Sequence, residues 1–183
     1  MKRLLLLGAL IICAYSLSFA QESDKHNFEG GVSESIYPNV ADGANTHYQG
    51  YGLYFEYRYN LIDHIDLGGK VYYQYSTGRS VFTGDMLSVF PITYNQIGVK
   101  GFADLNILPG KKVCPFVGFS LGIADVAESY KGNTYHEFRG TISPRIGVEV
   151  WRIRIATELD YGYDPGYGIK HERTLTLNVG FVF

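Results

Sequence analysis

Apolar and polar residues alternate along most of this chain with a period of two. The pattern is sharpest at the end, where Leu175, Leu177, Val179, Phe181 and Phe183 fall on one face of an extended strand. Thr174, Thr176, Asn178 and Gly180 fall on the other, with Val182 the exception. Residues 48–59 repeat the scheme, with Tyr51, Leu53, Phe55, Tyr57 and Tyr59 against Gly50, Gly52, Tyr54, Glu56 and Arg58. Runs of this period and length, bounded by turn chemistry, read as strands. Eight of them are predicted, over residues 28–37, 48–59, 65–76, 92–105, 113–124, 138–150, 153–163 and 174–183. The first is the weakest, with Phe28, Val32 and Ile36 as its apolar set. Helical periodicity is absent after position 20.

The links between strands alternate in length. Those after the second, fourth and sixth strands are short, down to Trp151-Arg152 alone. The others are long, at 38–45, 77–90, 125–136 and 164–170. Two positions disturb the frames. Tyr94 falls on the polar side of the fourth strand, which predicts a bulge near Asn95. Pro144 sits inside the sixth, where a residue without an N–H predicts a bulge or a frayed ladder.

An even number of strands, about ten residues each, apolar on one face and small or polar on the other, suits a closed wall between lipid and a hydrated lumen. The aromatic content of 16 Tyr and 11 Phe fits that wall. Tyr57, Tyr59, Trp151, Phe181 and Phe183 fall outward near one set of strand ends, and Tyr73, Tyr75, Tyr161 and Tyr163 near the other. Two such girdles mark the two interfaces of a membrane.

The start of the chain points the same way. Met1-Lys2-Arg3 is a basic leader, residues 4–13 are continuously apolar, and Ser18-Phe19-Ala20 offers small residues for a signal peptidase. Residues 1–20 are therefore read as a signal peptide cleaved before Gln21, and 21–183 as one domain. The apolar run is too short to span a bilayer comfortably. Past the leader one cysteine remains, Cys114, so no internal disulfide can form there. Losing Lys2 and Arg3 leaves 14 Lys and Arg against 18 Asp and Glu, too mild an imbalance to indicate nucleic acid. With no later segment apolar enough for a spanning helix, a membrane form must be a closed barrel.

The leader, the eight alternating strands and the ending Val179-Gly180-Phe181-Val182-Phe183 resemble the small eight-stranded outer-membrane barrels of Gram-negative bacteria. These include the OmpX and Ail type and the barrel domain of OmpA, grouped as the outer membrane protein beta-barrel domain. The resemblance covers residues 21–183. It implies an all-β, antiparallel, up-and-down transmembrane barrel, monomeric, with outer-membrane lipid and the barrel assembly machinery as its partners. Gly180, Phe181 and Phe183 match the terminal signal that this machinery reads. The shared motifs are architectural, and no functional residue carries over from them.

Chemistry, if there is any, lies inside. The frames direct Glu56, Arg58, Asp66, Lys70, Lys100, Asp104, Arg139, Arg145, Glu149, Arg154, Glu158 and Asp160 into the lumen, six acids and six bases. An eight-stranded barrel is only wide enough for side chains to fill it. Balanced charges there are expected to pair and close the lumen, since a buried unpaired charge is costly. That predicts a structural or surface component whose loops contact an unidentified extracellular partner. The alternative is a narrow porin-like channel for ions or small solutes. A lipid A acyl-modifying enzyme is a third reading. It would use a histidine from His47, His136 and His171 with Ser35, Ser76, Ser129 or Asp125, because a serine nucleophile needs a base. No motif ties any of these together, so no catalytic, metal or cofactor residue is predicted and the protein is read as a non-enzyme. Gly30-Gly31, Gly50, Gly52 and Gly68-Gly69 lie inside strands, which excludes a phosphate loop and leaves close packing of lumen side chains.

Overall fold

The computed structural model describes residues 25–37, 48–83, 87–130, 132–163 and 172–183. The leader, the first and fourth long links, His47 and His171 lie outside the described residues. Eight strands run in chain order: β1 His26–Tyr37, β2 Tyr48–Ile62, β3 Ile65–Thr83, β4 Leu87–Asn106, β5 Val113–Tyr130, β6 Asn133–Val150, β7 Ile153–Tyr163 and β8 Glu172–Val182. Each pairs antiparallel with the next, and β8 returns to β1, so the sheet closes into an up-and-down barrel.

The register fixes the barrel's shape. From Glu34, a row of directly opposed residues runs one way through Tyr51, Tyr75, Asn95 and Ala127 to His136. The other way it runs through Leu177 and Thr157 to Ile146. Both rows end on β6, ten residues apart, so the sheet closes with a stagger of ten. With strands ~4.8 Å apart and a rise of ~3.3 Å per residue, that stagger over eight strands tilts them about 40° from the axis.

Period-two alternation then sorts every strand into two faces. Leu53 (63% exposed), Val71, Ile97, Leu121, Ile146 and Leu177 point outward. The buried inward set is mostly polar or aromatic, and valine is the largest aliphatic side chain among the described buried residues. This reverses the arrangement of a water-soluble domain, which hides its aliphatic residues. The outer face of the wall is a continuous apolar surface.

Two local expectations need correction, and a third is met. The second and third long links are mostly strand, because β3 reaches Thr83, β4 begins at Leu87, β5 reaches Tyr130 and β6 begins at Asn133. No bulge occurs at Asn95: the β3–β4 and β4–β5 registers run straight through it, and Tyr94 lies on the inward side in an unbroken ladder. The register shift in β2–β3 lies instead between Asn60 and Ile62, beside the two-residue turn at Asp63 and His64. At Pro144 the β5–β6 register is continuous, with Phe119 opposite. On the β7 side, pairing stops at Ile142 and resumes at Arg145 in the same register. This is the frayed ladder expected of a proline, which has no N–H to donate.

The charged interior as candidate functional site

Four glycines make room for four rings. Gly31, Gly68, Gly98 and Gly147 stand directly opposite Tyr54, Phe102, Tyr72 and Phe116 on the neighbouring strands. In each case a Cβ on the glycine would strike the ring. The rings therefore lie flat along the inner wall instead of crossing the lumen. Cations rest on them. Lys70 Nζ is 4.6 Å from the Tyr54 centroid, and the Arg145 and Arg154 guanidinium carbons are 4.3 Å from Phe102 and 3.5 Å from Phe116. A cation over a ring face is attracted by the ring quadrupole, more strongly where water is excluded.

The carboxylates close the layer from across the lumen. Lys70 Nζ of β3 donates to Glu158 Oε1 of β7 at 2.8 Å and to Asn178 Oδ1 of β8 at 3.0 Å. Lys100 of β4 reaches Glu158 Oε2 at 2.9 Å and also Asp160. Arg145 of β6 donates to both oxygens of Glu56 on β2 at 3.2 Å. Nearer the β4–β5 and β6–β7 turns, Arg154 bonds Asp104 at 2.5 Å, and Arg58 bonds Glu149 at 2.9 Å. Arg58 also lies 3.5 Å from Asp66, whose carboxylate accepts from Asn106 Nδ2 at 2.9 Å. Apart from the Asp66 contacts, which link adjacent strands, these bonds join strands that are not neighbours in the sheet and so brace the barrel across its width.

One member escaped the sequence analysis. Glu29 on β1 is 2% exposed, accepts from the Tyr54 hydroxyl at 2.5 Å, and lies 3.7–3.8 Å from Arg154 and Arg58. The signal was available, because placing Phe28, Val32 and Ile36 outward turns Glu29 inward. With it, the buried set holds five acids (Glu29, Glu56, Asp66, Asp104, Glu158) and five bases (Arg58, Lys70, Lys100, Arg145, Arg154). Glu149 and Asp160 retain partial solvent access, and Arg139 lies toward the loop end with Glu137 at 2.9 Å. The same β1 frame turns Glu34 outward, where its carboxylate accepts from Gln49 at 2.6 Å.

Gly180 has a packing reason of its own. It faces inward, and a Cβ there would strike the Glu29 carboxylate and the Tyr54 hydroxyl. Phe181 points outward and stacks edge-on against Phe183, with ring centroids 5.5 Å apart.

Among the described residues, none of the serine candidates is hydrogen-bonded to His136. Ser35 and Ser76 are buried inside the barrel, Ser35 bonded to Thr176 at 3.0 Å and also to Gln74. The His136 side chain is 62% exposed beside Asp125 at 3.3 Å, and Ser129 bonds Thr134 at 3.1 Å. Among the described residues, no group of three or more His, Cys, Asp or Glu is placed to hold a metal ion.

No protein-family model matches this chain, and no curated protein sequence matches it. Solved structures do. Neisserial surface protein A aligns over 86% of this chain and 95% of its own, at 14% identity and a TM-score of 0.54. The outer membrane protein OprG of Pseudomonas aeruginosa aligns over 87% and 96%, at 7% identity and a TM-score of 0.55. Ail of Yersinia pestis aligns over 88% and 100%, at 14% identity and a TM-score of 0.49. At these identities the likeness is one of architecture, and in architecture this chain is a small closed β-barrel of the kind found in Neisserial surface protein A and OprG.

Proposed function

We propose that the protein is an integral outer-membrane barrel with a closed lumen, working as a structural or surface component of the cell envelope. In this reading residues 1–20 direct export and are removed before Gln21. Phe181 and Phe183, with Gly180, present the terminal strand to the barrel assembly machinery, and the chain stands in the lipid as a monomer. The long β3–β4 and β5–β6 hairpins carry strand pairing beyond the apolar wall and offer a surface to an extracellular partner.

One observation carries the closed lumen. Ten charged side chains on six strands are buried and linked in one network that spans the barrel, with four of its cations lying against aromatic rings of the wall. An ion pathway needs charged groups that water and ions can reach. Here they are buried, none more than 5% exposed.

Planar bilayers test this reading. Purified protein that fractionates with outer membranes and shifts its gel mobility on heating should give little or no steady conductance. Large, stable, ion-selective currents would replace it with the channel reading. Recovery as a detergent-free soluble monomer would remove the membrane assignment altogether.

A further inference from the structure

Two turns meet at the end of the barrel opposite the long hairpins. The β4–β5 turn carries Lys111 and Lys112, and the β6–β7 turn is Trp151-Arg152. The backbone N–H of Trp151 donates to the carbonyl of Lys112 at 2.8 Å, which fixes one turn against the other. All four side chains are exposed, Trp151 at 79%. Neither the lipid-facing wall nor the braced interior uses them.

Trp151 adds a second observation. Its φ is +61°, a left-handed conformation in a two-residue hairpin turn. Asn, Asp or Gly ordinarily fills such a position, and a bulky side chain there is an outlier. The strained backbone holds an indole outward beside three cations. The apolar wall begins immediately beyond, at the exposed Val113 and Val150. Indoles settle at the boundary between hydrocarbon and headgroups, and Lys and Arg beside such a boundary attract anionic lipid. The patch continues the lipid-facing surface, so its neighbour is the margin of the bilayer.

We propose that these paired turns bind the phosphate-bearing headgroup of an anionic phospholipid in the leaflet at the turn end of the barrel. Lys111, Lys112 and Arg152 contact the phosphate, and the Trp151 ring lies at the top of the acyl chains. The inference rests on the membrane reading above.

Trp151 is the chain's one tryptophan, so its emission reports on this patch alone. The protein is reconstituted into phosphatidylcholine vesicles carrying an equal minor fraction of either brominated phosphatidylglycerol or brominated phosphatidylcholine. Quenching should be about twofold or more stronger with the brominated anionic lipid, and raising the salt should reduce the difference. The triple variant Lys111→Gln, Lys112→Gln, Arg152→Gln keeps the indole and alters only exposed side chains. It should quench equally with both lipids while retaining heat-modifiable mobility. Equal quenching of the unaltered protein by both lipids would overturn the site and leave the membrane reading intact. So would a preference that survives in the triple variant, or one abolished by free inorganic phosphate at the concentration of the anionic lipid. No quenching by either lipid would overturn the membrane reading with it.

Discussion

The two faces of the same eight strands obey different rules. On the outer face each aliphatic side chain meets its surroundings independently: Leu53, Val71 and Ile146 are all exposed, and none depends on a particular partner. On the inner face no charged residue among those described stands alone. Glu158 is held by Lys70 and Lys100, and Arg145 spans Glu56 and Asp104. The outer face therefore tolerates exchange of one apolar residue for another and punishes charge. The inner face punishes the loss of any one charge, because its partners are left buried.

The widest separation of the two faces should come from the interior. Replacing Arg58, Arg145 and Arg154 together with Gln leaves Glu29, Glu56, Asp104 and Glu149 without their guanidinium partners. Breaking a single buried pair typically costs about 3–5 kcal/mol, and the set should cost more. Urea unfolding in vesicles should show a large fall in the midpoint, and bilayer recordings should show water-filled openings. An unchanged midpoint would mean that the braces contribute nothing to stability. A smaller effect is expected from the wall. Leu53→Arg or Val71→Arg sets a cation in the apolar band at a cost of roughly 2–4 kcal/mol near the midplane, read as reduced insertion. Equal insertion of these variants and the parent would show that the strand faces are assigned wrongly. The smallest effect belongs to the loop end. Asp125→Asn removes an exposed contact with His136 and should shift the urea midpoint by no more than about 0.5 kcal/mol equivalent.

Strand faces were legible in the sequence because each face meets one environment along its whole length. The strand ends were not. Beyond Ser76 on β3 and before Tyr94 on β4, the ladder continues to Thr83 and from Leu87. The sequence there no longer alternates strictly, so the period of two that marks the strands elsewhere is missing. Tyr94 looked out of frame for the same reason: it faces inward above the braced layer, in an unbroken ladder. The charged residues were legible one by one, down to Glu29 had the β1 frame been followed through. Their partners were not. Lys70 meets Glu158 across the barrel because the sheet closes with a stagger of ten residues, and that stagger belongs to no single strand. The opposition of Gly31 to Tyr54 and of Gly147 to Phe116 depends in the same way on register.

Along the wall, several inward residues that face each other directly carry the same sign. Glu29 is opposed to Glu56, Asp66 to Asp104, and Lys70 to Lys100. Like charges in such positions destabilise a sheet. Relief comes from across the lumen, from residues such as Glu158, 88 positions beyond Lys70 in the chain. A growing, still-open sheet therefore carries internal repulsion that lasts until β1 meets β8. A hydrophobic core favours almost any collapse, whereas this interior favours one closure. A sheet short of a strand, or joined with a slipped stagger, would leave acid against acid and base against base in a narrow space, and water would hold it open. The cross-lumen pairs thus form only in the closed sheet, with the last seam in its proper register.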